Sequence, residues 1–184
     1  MKNENFIPPT THSKIRRLAI FGILAAASVI LGKFLQIPIG DTIRISLENL
    51  PIVFAGIVFG PVSGMIVGIV ADLVGCVARG YEINLIITAG AALIGMLSGI
   101  FGSMKTVDQK KSFLQILLPT VLAHIVGSMA VKSVGLHVFY STPWSFLLTT
   151  RIPIYFVNIA AESLIVYVLL KSKGVRHSLS GFLK

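Results

Sequence analysis

Residues 44–75, RISLENLPIVFAGIVFGPVSGMIVGIVADLVG, constrain this chain more than any other stretch. A polar, charged loop runs into two apolar segments joined only by Gly60-Pro61, and one acid, Asp72, stands in the middle of the second. A helix on the surface of a water-soluble domain keeps a polar face, so two adjoining, almost uncharged helices point instead to a bilayer. The polar loop ahead of them is where recognition is expected. The rest of the chain agrees: of 184 residues, 54% are hydrophobic and only 12% charged, with a mean hydropathy of +0.87. At about 20 apolar residues per crossing, that length holds roughly six spans with short loops and little soluble structure.

The chain is therefore expected to be all-α, a polytopic membrane protein with a six-transmembrane-helix bundle forming a single integral membrane domain. Helices are expected at about Ile15–Leu35, Asn49–Phe59, Val62–Ala78, Asn84–Gly102, Phe113–Leu136 and Ser145–Leu170. A short tail precedes them, residues 171–184 form a second tail, and no cleavable signal peptide is expected. The second helix is short for a crossing, so either its flanks extend it or the loop before it dips into the membrane. Non-helical backbone at that depth must line a cavity or be buried in protein. Pro51 suits a first helical turn, with Asn49 as its cap.

Basic residues orient such a bundle. Eleven of the sixteen lie on one side: Lys2, Lys14, Arg16, Arg17, Lys105, Lys110, Lys111, Lys171, Lys173, Arg176 and Lys184. The other side holds Lys33, Arg44, Arg79, Lys132 and Arg151. Both termini should then be cytoplasmic. The five outer cations go against the charge rule, so something should offset them. The net charge of +9 does not imply nucleic acid, because the basic residues sit between spans and at the ends without interleaved aromatics.

Three outer loops bring recognition groups to one side of the bundle. The first, 36–48, carries Asp41, Arg44, Ser46 and Glu48; the second, 79–84, carries Arg79, Tyr81 and Asn84. The third, 135–144, carries His137, Phe139, Tyr140 and the single Trp144, with Lys132 just before it and Arg151 just after. Aromatics at an interface are ordinary in membrane proteins. Their co-occurrence with Arg44, Lys132 and Arg151 instead suggests a pocket at the extracellular side for a planar anion, stacked on rings and neutralised by cations.

On the sixth helix Arg151, Tyr155, Asn158 and Glu162 share one face. Glu162 and Asp72 are read as internal caps or pairing partners, and Arg151 and Tyr155 as ligand groups. Small residues four apart allow close helix approach in lipid. Gly64, Gly68, Ala71 and Gly75, and Ala91, Gly95 and Gly99, are read as internal packing. The first-helix stripe of Ala19, Gly22, Ala25 and Ala26 could instead face a partner subunit. His124 is read as a packed, hydrogen-bonded histidine and Cys76 as a small buried residue. Recognisable enzyme signatures are missing: no His-Glu-x-x-His helix, no intramembrane serine motif and no phosphate loop.

The basic entry into RRLAIFGILAAASVIL, the Arg44-Ile45-Ser46 run into Leu50-Pro51, the Phe59-Gly60-Pro61 hinge and Ala71-Asp72-Leu73-Val74-Gly75 resemble the substrate-capture subunits (S components) of energy-coupling factor (ECF) vitamin transporters. Within them the likeness is greatest to the folate-specific branch. It covers nearly the whole chain. It implies a capture subunit, not an enzyme, with no cofactor or metal of its own. It also implies docking on a transmembrane coupling subunit driven by two ATPase subunits, toppling in the bilayer to release the vitamin. The family's Ala-x-x-x-Ala docking motif falls on Gly22 and Ala26, with Ala19 and Ile23 as the alternative pair. Trp144, Tyr140, Tyr81 or Phe139 would stack on the pterin of folate, and Asn84, Asn49, Ser46 and Glu48 would read its edge. Arg44, Lys132 and Arg151 would meet its glutamate tail. Pantothenate, a queuosine precursor or riboflavin are alternative cargoes, and a membrane enzyme is the alternative class.

Overall fold

The computed structural model describes residues 11–39, 43–104 and 111–180. Helix α1 spans Thr11–Lys33 and is followed by a small antiparallel ribbon, β1 (Ile37–Ile39) with β2 (Ile43–Ile45), in which Pro38 pairs with Arg44. Helices α2 (Leu50–Phe59), α3 (Pro61–Arg79) and α4 (Leu85–Gly102) follow. Helix α5 is one rod, Leu114–Tyr140, whose centre, His124–Lys132, winds as a π-helix. Helix α6 runs Trp144–Lys171, and a short α7, Lys173–Leu179, packs Leu179 and Val175 against the core. Five of these, α1 and α3 to α6, are long and apolar enough to cross a membrane. The architecture is thus the expected helical bundle, with a two-stranded ribbon in the first loop and a helix in what the sequence suggested was a tail.

Helix α2 is the short sixth member, and the structure explains its length. Its ten residues rise about 15 Å, half of a hydrocarbon core of about 30 Å. Seven of them, Pro51, Ile52, Val53, Ala55, Gly56, Ile57 and Val58, are buried in protein. It is a core helix apolar on all sides, and the loop before it enters the bundle: Asn49 is only 2% exposed. Gly60, at φ +92°, makes the sharp turn into α3, a backbone geometry open to glycine, and Pro61 begins α3 where no N–H partner is needed.

Helices α3 and α4 meet backbone to backbone. A Cβ on Gly95 would stand 2.0 Å from the Gly64 carbonyl oxygen, and one on Gly68 2.4 Å from that of Ala91. The small-residue stripes on these helices therefore pack internally, by the close approach that substitutes in lipid for hydrophobic burial. Helix α1 differs. It turns Ala25, Ser28 and Gly32 inward and leaves Ala19, Gly22, Ile23 and Ala26 exposed.

One loop boundary is corrected. Residues 135–140 are helical, so the connection to α6 is only Ser141–Pro143. No glycine or proline interrupts 136–142, and the helix closes when Ser141 turns left-handed (φ 51°) and its N–H reaches the Leu136 carbonyl.

Candidate functional site

Polar groups gather at the end of the bundle where α1 finishes, α2 and α4 begin and α5 passes to α6. Lys132, at the last turn of the π segment, is 6% exposed. Its ammonium lies 3.5 Å from Glu48 Oε1 and makes a long contact, also 3.5 Å, to Asn49 Oδ1. Asn49 stands at the N-cap position of α2, but its side chain makes no capping bond and is turned to Lys132. Asp72, half-buried on α3, accepts a hydrogen bond of 2.7 Å from Thr88 Oγ1. Arg151 lies with its guanidinium 5.1 Å from the centre of the Tyr155 ring and donates through Nη2 to the Tyr155 hydroxyl. Its Nη1 is buried without a partner among the described residues.

These groups wall two cavities. One, of about 430 Å³, has Glu48, Asp72, Tyr81, Glu82, Lys132 and Arg151 among its lining residues. The second, of about 360 Å³, adds Ser46, Asn49, Thr150, Tyr155 and Asn158. Glu48, Leu136, Thr142 and Arg151 line both, so the cavities are neighbouring lobes with Arg151 on the shared wall. Each volume falls in the range of small-molecule sites. Three carboxylates and two cations around apolar walls form an amphoteric chamber. It offers recognition of a molecule that carries both donor edges and negative charge.

The residues singled out from the sequence fall into three groups. Ser46, Glu48, Asn49, Lys132, Arg151 and Tyr155 line one or both lobes, as do Tyr81, Asn84 and Tyr140. Asn84 has structural duties there. It caps α4 by accepting from the Ile86 and Ile87 N–H groups at 3.0 and 3.3 Å, and it donates to the Gly135 carbonyl. His137, Phe139 and Trp144 are not on the walls. Because α5 stays helical to Tyr140, Phe139 turns outward and is largely exposed. The His137 ring packs on Trp144 at 4.9 Å and its Nδ1 contacts the Thr142 carbonyl at 2.9 Å, so this pair clasps the α5–α6 connection. The Arg44 side chain and Asp41 lie outside the described residues. Sequence reasoning left Asp72, Cys76, Glu82, Thr142 and Asn158 off the site, although all five line it. For Asp72 the signal was present, since an acid within a span is by default a functional candidate.

Below the cavities lies a second polar cluster. His124 Nε2 is 2.8 Å from Glu162 Oε2, its Nδ1 is 3.1 Å from Ser128 Oγ, and all three side chains are fully buried. The His124 ring also packs against Tyr155 at 5.5 Å, which joins this cluster to the cavity wall.

Comparison with known proteins places this geometry in context. A family described as "ECF-type riboflavin transporter, S component" matches residues 12–174. Two curated relatives from Streptococcus thermophilus, both called UPF0397 protein, are 25% and 24% identical over 140 residues, 74% of this chain and 77% of theirs. Among solved structures, FolT bound with folic acid superposes with a TM-score of 0.66 at 20% identity, over 83% of this chain and 89% of that one. The S-component for biotin from an ECF-type ABC transporter gives 0.63 at 22% identity, over 93% and 94%. At these identities the two structures speak for the fold.

Proposed function

This chain belongs to the S-component family of ECF-type transporters, a multi-pass membrane family of substrate-binding subunits and not of enzymes, and from that premise we propose that it captures folate. The observation that carries the cargo is Arg151 Nη1, buried and unpartnered among the described residues on the wall shared by both lobes. A buried guanidinium donor without an acceptor is costly, and a carboxylate matches its planar fork. Folate ends in a glutamate with two carboxylates. Its pterin presents adjacent N–H donors that Asp72 or Glu82 would accept, and Tyr81 and Tyr140 offer faces for stacking. Arg44, Ser46, Asn49, Lys132 and Tyr155 complete the proposed contacts, while His137 and Trp144 act through the connection they clasp. Riboflavin is the second reading, favoured by the family's description; its neutral ring system makes no use of the cation.

The test is calorimetric titration of the detergent-purified protein with folate and riboflavin, combined with maleimide labelling of Cys76. Cys76 is the only cysteine and lines the larger lobe. Folate is expected to bind saturably and shield the thiol, with riboflavin doing neither. The reverse pattern would assign riboflavin, and silence from both would end this cargo reading.

The cavity end faces outside in this proposal, with both termini in the cytoplasm, which puts eleven of sixteen basic residues on the cytoplasmic side, as the charge rule favours. Delivery runs through a coupling subunit driven by two ATPases, docked on the exposed Ala19, Gly22 and Ala26 of α1. A Cβ on Gly22 would meet nothing within 4 Å in this chain. Gly22→Leu should therefore keep cargo affinity but abolish most vitamin uptake by cells expressing the full transporter. Uptake at the wild-type rate would remove the docking face from α1.

A further inference from the structure

Glu48 occupies a position unlike that of the other two cavity acids. It touches the buried cation Lys132, and it lines both lobes. The Lys132 side chain is 8% exposed while that of Glu48 is 35% exposed, so the acid is the partner with room to leave. Helix α1 holds it in place. Ser28 Oγ donates to the Glu48 carbonyl at 2.5 Å. Gly32 supplies the space for its side chain, because a Cβ there would lie 2.7 Å from Glu48 Cβ and 2.9 Å from Oε2. Gly32 is itself tied to α3, its carbonyl accepting from Arg79 Nη2 at 3.3 Å.

We propose that Glu48 is an internal stand-in for the carboxylate of the cargo: it neutralises Lys132 in the empty protein and is displaced when an anionic ligand arrives. This rests on the reading of the chain as the capture subunit for an anionic vitamin. A buried ammonium needs an anion close by at all times, and Glu48 meets that need without filling the chamber. Exchange of one carboxylate for another keeps Lys132 paired throughout. A neutral ligand gains nothing by moving Glu48, so the residue discriminates for charge. Displacement also loosens the clasp that α1 keeps on this loop, on the helix whose opposite face is exposed.

Two variants test the idea. Glu48→Ala removes the stand-in. Gly32→Ala keeps its charge but drives a methyl into its place, and it serves if the first variant folds poorly. If the displaced state makes up about a tenth of the empty protein, both variants bind folate about tenfold more tightly than wild type, with riboflavin affinity unmoved. Folate affinity that falls in Glu48→Ala would make Glu48 a direct ligand and overturn the proposal, as would unchanged affinity in both variants. A second measurement needs no vitamin. Ligand-free Glu48→Ala should melt below wild type and be restored by formate but not by chloride, whereas wild type should ignore formate. A variant that melts like wild type with and without formate would also overturn it. Should wild type bind riboflavin and not folate, the cargo reading fails, and the formate experiment still decides whether Glu48 serves Lys132.

Discussion

Arg151→Ala is expected to weaken folate binding by about 2–5 kcal/mol, a loss of roughly thirtyfold to several thousandfold. The size follows from where the guanidinium lies. It is on the wall common to both lobes, stacked against Tyr155, with one donor committed to the Tyr155 hydroxyl and Nη1 buried without an acceptor among the described residues. Cargo carboxylate would remove that cost, and truncation would leave the carboxylate buried alone. Arg151→Lys should recover only part of the loss, because an ammonium keeps the charge but not the planar fork. The comparison that isolates the mechanism is 6-hydroxymethylpterin, which keeps the pterin but carries no carboxylate. Calorimetry should show a much smaller effect of Arg151→Ala on this ligand than on folate. Equal losses for the two ligands would mean that Arg151 shapes the pocket and does not meet the tail.

Glu162→Ala should be the most damaging single change to stability among the polar residues of the core, at about 3–5 kcal/mol. Interhelical hydrogen bonds in membrane proteins average only about 0.6 kcal/mol, with a maximum near 1.7. Glu162 exceeds them because its loss strands a second polar group. Glu162 and His124 join α6 to α5 at 2.8 Å with neither side chain exposed. Removing the acid leaves the imidazole, itself fully buried, without that partner. His124 also lies in the π segment and touches Ser128 and Tyr155, so its rearrangement reaches the cavity. The double variant His124→Leu with Glu162→Leu separates the causes. Replacing a buried pair by apolar groups is often neutral or stabilising, so the double should recover most of the stability. Thermal melting in detergent measures both. A double variant as unstable as Glu162→Ala would mean that packing geometry, and not desolvation, sets the cost.

Much of the architecture was legible residue by residue. Long uncharged runs gave the helices. The Phe59-Gly60-Pro61 hinge was readable because a positive-φ glycine followed by proline leaves a chemical mark. The internal packing of Gly64, Gly68 and Gly95 was readable because only small side chains permit that approach. The extension of α5 to Tyr140 was misread, since aromatic residues near a presumed interface looked like loop, and that shift took Phe139 and Trp144 off the cavity wall. The ribbon at β1 and β2 and the burial of α2 on all sides were not visible either, because a short apolar run looks alike in lipid and in a protein core.

The amino-acid sequence by itself determined the solvent, the apolar helices of the bundle and the charge asymmetry along the chain. These depend on composition summed over local windows. Only the tertiary structure decided which face of each helix turns inward. Lipid tails are as apolar as a protein interior, so the spacing of apolar residues does not tell a buried valine from a lipid-facing one. Facing is set instead by contacts between residues far apart in the chain: Lys132 with Asn49, 83 positions away, His124 with Glu162, 38 positions away, and the glycine backbones of α3 against α4. Those contacts turn Arg151 toward the chamber and Phe139 away from it.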